Sequence, residues 1–125
     1  MSEITEHAKN ICKTLLDDLI EVNKTDTSVK FFRRDLTTMI IWLFIMNSYA
    51  IKKIINIEDI AREISSSSRI SKPSLRLILE NAKTKGFLKF THNINDNRSW
   101  IIEPEVMTIK EFNAWTKRIG SLVIV

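Results

Sequence analysis

The sequence predicts a mainly α-helical domain carrying one small β-hairpin, and three observations predict it. Apolar residues recur at three- and four-residue spacing through most of the 125 residues, the period of a helix with one buried face. The period switches to two only after Gly86, where Phe87-Leu88-Lys89-Phe90 and Trp100-Ile101-Ile102 flank an Asn- and Asp-rich stretch. Two Gly and two Pro leave little room for linker, so the chain reads as a single domain, 1–125. A domain of this length buries roughly two thirds of its unfolded surface.

A first helix is expected over Glu3–Val22. Ile4, Ala8, Ile11, Cys12, Leu15, Leu16, Leu19 and Ile20 form its apolar stripe, and Glu6, Lys9, Lys13, Asp17, Asp18 and Glu21 its solvated face. That stripe must pack on the core or on a second subunit, and Cys12, lying on it, is expected to be buried. Asn23–Lys30 is polar and reads as a loop. Asp35–Ala50 follows as a central helix, apolar nearly all round, which predicts burial on most sides and points to a subunit interface.

Asn56 is placed to cap a short helix, with Asp59 reaching back to it, and Ile57, Ile60, Ala61 and Ile64 give that helix one buried face. The polar run Ser65–Ser68, then Arg69 and Ile70, leads to Ser71–Gly86. Here Leu75, Ile78, Leu79 and Ala82 share a face; Ser71 suits the N-cap, Pro73 the first turn, and Gly86 the left-handed closing position. The outward face carries Lys72, Ser74 and Arg76. Two short helices in tandem, the second basic and exposed, form a helix-turn-helix pattern. The hairpin loop is expected over Thr91–Ser99, with Asn93, Asn95, Asp96 and Asn97 supplying turn chemistry. Pro104 ends the second strand. Thr108 and Glu111 then read as a capping box, with Met107 stapled to Phe112, for a last helix over Thr108–Ile119 that buries Phe112, Trp115 and Ile119. The apolar tail Leu122–Val125 is expected to pack on the first helix or on a partner.

Charge is unevenly placed. The chain carries net +4, yet Arg69–Arg98 alone holds seven basic and two acidic residues, net +5, on an otherwise near-neutral body. Such a block favours a polyanionic partner. Lys72, Arg76, Lys83 and Lys89 are placed to neutralise phosphates, with Ser71 and Ser74 donating hydroxyl hydrogen bonds to them. Arg76 suits bidentate guanine contact or a phosphate clamp, and Arg98 suits a narrow minor groove or a turn pair with Asp96.

The order helix, helix, basic helix, hairpin, helix is that of a winged helix-turn-helix, and from about Asn56 to Phe112 the sequence resembles the MarR family of regulators. Ser71-Lys72-Pro73-Ser74-Leu75, the apolar Ile78, Leu79 and Ala82, and the closing Gly86 match that family's recognition helix. Asp96-Asn97-Arg98 matches its D-x-R wing motif, in which the Asp orients an Arg toward the minor groove. Two features depart from the family: Ser65–Ile70 is a longer connection, and Leu77 stands where a polar residue often faces DNA. The resemblance implies a homodimeric, sequence-specific regulator of transcription. Its recognition helix 71–86 would lie in the major groove of double-stranded DNA and its wing 91–99 in the minor groove. The DNA-binding part would span about 56–104, and the dimerisation helices about 3–22 and 108–125. It also implies a small aromatic effector, which no residue here identifies, and a branch of the family that senses peroxide through an N-terminal cysteine.

Other chemistry finds no foothold. His7 and His92 lie far apart, no Cys/His cluster has metal spacing, and neither a Gly-rich phosphate loop nor a nucleophile elbow occurs. No cofactor and no enzymatic activity are expected. Paired acids, Asp17-Asp18 and Glu58-Asp59, are expected on solvated helix positions. The longest apolar run, Met39–Met46, falls well short of the ~20 residues that span a bilayer, and one cysteine with no secretory signal suits the cytoplasm. Two alternatives remain on sequence alone: a winged-helix protein–protein module, and a DNA-binding subunit of replication or virus machinery.

Overall fold

The indole of Trp42 marks the centre of the computed structural model, which describes residues 2–95 and 99–120. It is fully buried, stacked on Phe32 with ring centroids 5.5 Å apart and flanked by Phe112 and Trp115, each 5.1 Å away. The described residues form six helices and one hairpin in the order α1 (Glu6–Asn23), α2 (Ser28–Phe32), α3 (Leu36–Ala50), which carries Trp42, α4 (Ile57–Ile64), α5 (Lys72–Thr84), β1 (Leu88–His92), β2 (Trp100–Pro104) and α6 (Val106–Gly120). The mainly helical fold with a hairpin wing is therefore as expected. Among the described residues no helix is long and apolar enough to cross a membrane.

Local signals set most boundaries. Asp35 caps α3 through Thr38 N–H, at 2.7 Å. Asn56 and Asp59 complete a reciprocal capping box at the start of α4, both bonds 3.0 Å. Ser71 caps α5 through the backbone N–H of Ser74. Gly86 closes α5 at φ +80°, and Phe87 N–H donates back to Ala82 O at 2.8 Å, as a Schellman closure requires. β1 and β2 pair antiparallel with Leu88 opposite Pro104 and His92 opposite Trp100. Ile102 N–H also donates to Ile55 O, so the chain entering α4 flanks the hairpin and ties it to the helix-turn-helix.

Several expectations are corrected. Asn23–Lys30 is not loop throughout: Thr27 caps α2, which buries Val29, Phe31 and Phe32 under the core. The helix is too short for a periodic signal to declare it. α3 is covered on most sides as expected, with Ile41, Trp42, Ile45 and Met46 buried and Met39, Ile40 and Phe44 half-buried, but Leu36, Leu43 and Tyr49 are exposed.

α1 does not lay its apolar stripe on the core of its own chain, the first of the two placements expected for it. Leu15, Leu16, Leu19 and Ile20 are exposed, Cys12 is exposed rather than buried, and the residues packed inward are Asp18 and Val22. Asp18 is thus no solvated acid. Its Oδ2 accepts from Arg33 Nη1 at 2.5 Å and from Trp115 Nε1 at 2.9 Å, and its Oδ1 from Arg118 Nε at 3.3 Å. Burial pushes this carboxyl up, but the Trp115 and Arg33 hydrogen bonds, the Arg33 charge and Arg118 outweigh it and hold it below the ordinary aspartate range. One carboxylate thereby ties α1 to the α2–α3 junction and to α6.

Thr108 and Glu111 do not form a capping box. α6 begins at Val106, and the buried Thr108 hydroxyl instead donates to Phe87 O at 2.7 Å. Glu111 accepts from the Ser28 N–H at 3.1 Å and from its hydroxyl at 2.6 Å, which anchors α2 on α6. Met107 is exposed and staples nothing, while Trp115 is buried and Phe112 and Ile119 are partly so. The hairpin strands run longer than expected and shorten the loop between them. The tail Leu122–Val125 lies outside the described residues.

Candidate nucleic-acid interface

α5 projects from the domain because its seam is unambiguous. Leu75, Leu79 and Ala82 are buried against the core, so Lys72, Ser74, Arg76, Leu77, Glu80 and Lys83 have to face away. Helical spacing thus brings together three of the expected contacts, Lys72, Arg76 and Lys83, on one side of the helix, while Ser74 is exposed on the opposite flank.

Their states differ. The Ser71 hydroxyl is engaged in the cap, accepting from Ser74 N–H at 3.2 Å while donating to Ser74 Oγ at 2.9 Å. Lys72 Nζ is paired with Glu58 of α4, which steadies the angle between the two helices and occupies that charge when no ligand is present. Lys83 Nζ lies over the Phe90 ring, 5.1 Å from its centroid, and so bridges α5 to the hairpin. Arg76 is exposed and takes part in no ion pair among the described residues. Lys89 points outward from β1, opposite Glu103. Asp96, Asn97 and Arg98, with the expected wing contact, lie outside the described residues.

The two departures from the family pattern acquire a physical form. The connection between α4 and α5 doubles back, with Ser67 and Ser68 N–H both donating to Ile64 O. Ser68 Oγ then meets Thr37 Oγ1 at 3.1 Å, which pins the long serine turn to α3. Leu77 is exposed on the outward face of α5, an apolar element amid polar ones.

Between α5 and the hairpin runs a groove of about 550 Å³, lined among others by Asn56, Arg76, Lys83, Phe90, Ser99 and Trp100. Asn56 Nδ2 donates to Ser99 Oγ at 3.0 Å, linking the α4 cap to the second strand's entry. Trp100 was legible only as a strand residue. Its sequence signal is the two-residue step from Ile102, which puts it on the hairpin's core-facing side but beyond the reach of the core. Among the described residues no group of three His, Cys, Asp or Glu side chains is arranged to hold a metal ion.

No protein-family model matches this sequence, and no curated protein matches it. Solved structures do. A mutant MepR from S. aureus bound to an oligodeoxyribonucleotide aligns with a TM-score of 0.62 at 14% identity, covering 97% of this chain and 80% of that one. YusO from Bacillus subtilis aligns at 0.58 and 11% identity, over 92% and 69% of the two chains. A mutant MarR from E. coli complexed with operator DNA aligns at 0.53 and 15% identity, over 92% and 75%. The chain has the MarR-like winged-helix fold.

Proposed function

We propose that this protein is a homodimeric regulator of transcription that binds double-stranded DNA sequence-specifically, with α5 in the major groove and the wing, 91–99, in the minor groove. The observation that carries the reading is the exposed surface of α5, where Arg76 and Lys83 share one side of the helix and Ser74 is exposed on the other flank, within a fold that DNA-bound neighbours also have. Lys72, Lys89 and the cap hydroxyl of Ser71 extend the phosphate-facing surface, and Asp96 and Arg98 belong to the wing that follows. Lys72 joins DNA by exchanging its Glu58 partner for a phosphate.

The dimer reading is supported by α1. Four large apolar side chains, Leu15, Leu16, Leu19 and Ile20, line its outer face and are left exposed by the described residues. A second copy, through its own α1, buries that face and sets two recognition helices about one DNA turn apart.

Mobility-shift titration with random and genomic-upstream duplexes, run across salt concentrations, tests the proposal. The affinity should fall steeply, log K losing about 0.9 per log unit of salt for each phosphate neutralised. Arg76→Ala should weaken binding about tenfold or more and lower that slope by about one if Arg76 holds a phosphate. If it reads guanine instead, the loss should be confined to particular sequences. A flat salt response would sink the proposal.

A further inference from the structure

We infer that the groove between α5 and the wing seats one sugar–phosphate strand of duplex DNA, and that Trp100 is the side chain that holds it; the inference rests on the DNA-binding reading above. A helix in the major groove and a hairpin in the neighbouring minor groove must straddle the strand that separates the two. The surface between α5 and the wing therefore meets backbone rather than base edges.

That surface suits a strand. Arg76 and Lys83 line it, and of the two acids beside them Glu58 is already paired with Lys72, leaving Glu80 alone against two cations. Trp100 closes the opposite wall. It is 51% exposed although it lies on the same side of the hairpin as the buried Ile102 and Pro104. The His92 ring packs edge-on against it, with centroids 5.2 Å apart and planes at 87°, which holds the indole upright. Its N–H donates to no acceptor among the described residues, whereas the Trp115 N–H is spent on Asp18. An exposed indole with an unspent donor is satisfied on both counts when its ring covers a deoxyribose and its N–H meets a phosphate oxygen. Such a contact is neutral, so it adds affinity for every sequence and displaces no counterion.

Tryptophan fluorescence isolates the contact, because Trp42 and Trp115 are buried at 0% and 6% exposure. The full chain is titrated at low salt with a mixed-sequence duplex while acrylamide quenching is followed. Quenching should fall as the duplex saturates, and Trp100→Phe should abolish that change. Trp100→Ala should weaken binding about tenfold, by the same factor on unrelated sequences and with the salt slope unaltered. Both variants should melt with the wild type, since the ring is not part of the core. If saturating duplex leaves quenching unchanged, or Trp100→Ala binds as tightly as wild type, the strand seat is overturned while the DNA-binding reading stands. If the wild type binds no duplex at all, both fall.

Discussion

α1 and α5 are both amphipathic helices, and they are mounted in opposite senses. α5 buries its apolar seam and offers solvent a basic, hydroxyl-bearing face. α1 offers solvent its apolar stripe and buries an aspartate. The difference teaches that helical spacing says which residues share a face, while the available partners decide which face the domain takes. For α5 the partners are apolar: the α4 isoleucines and the hairpin's Leu88 leave only a hydrophobic socket. For α1 the decisive partners are polar and distant. Arg33, Trp115 and Arg118 together outbid the leucines for the inward position by making Asp18 the better-satisfied side chain.

Three variants break or sharpen this contrast. The largest effect is expected at the seam of α5, where Leu79→Ala empties a fully buried site and should cost about 3 kcal/mol in urea denaturation. Asp18→Asn should cost about 2 kcal/mol by the same measurement, because the amide keeps the shape but loses the charge-assisted bonds. Its pH signature is distinctive. Asp18 holds its proton less tightly folded than unfolded, so its contribution is present above about pH 4 and is lost as the pH falls through the folded value. The wild type should therefore destabilise more steeply below that range than the Asn variant; parallel acid curves would remove Asp18 from the account of α1's orientation. The smallest effect on protomer stability, within about 0.5 kcal/mol, belongs to Leu16→Ser with Leu19→Ser on the exposed stripe. The same pair should halve the particle mass by light scattering if a second copy covers α1. A wild type that already scatters as a monomer would refute the homodimer.

The wing and the helix-turn-helix were the most legible parts of the sequence. Asn56, Asp59, Ser71 and Gly86 act on backbone groups within four residues of themselves, and the change of period after Gly86 is likewise a local pattern. The basic residues of α5 could be placed on one surface for the same reason. Trp100 could not be singled out, because its exposure depends on where the core stops under the hairpin. Thr108 and Glu111 misled for the converse reason. Their spacing fits a capping box, but Phe87 O and Ser28 compete for the same two side chains from across the fold.

From the sequence alone came the helices α3 to α5, the caps of α4 and α5, the hairpin and the +5 block over residues 69–98, all of them consequences of short-range hydrogen bonding, periodicity and charge. Only the tertiary structure decided the burial of Asp18 among Arg33, Trp115 and Arg118, the five-residue α2, and the outward turn of α1's leucines. Those outcomes hang on partners up to 100 residues away, and no local period records which distant donor will reach a carboxylate first.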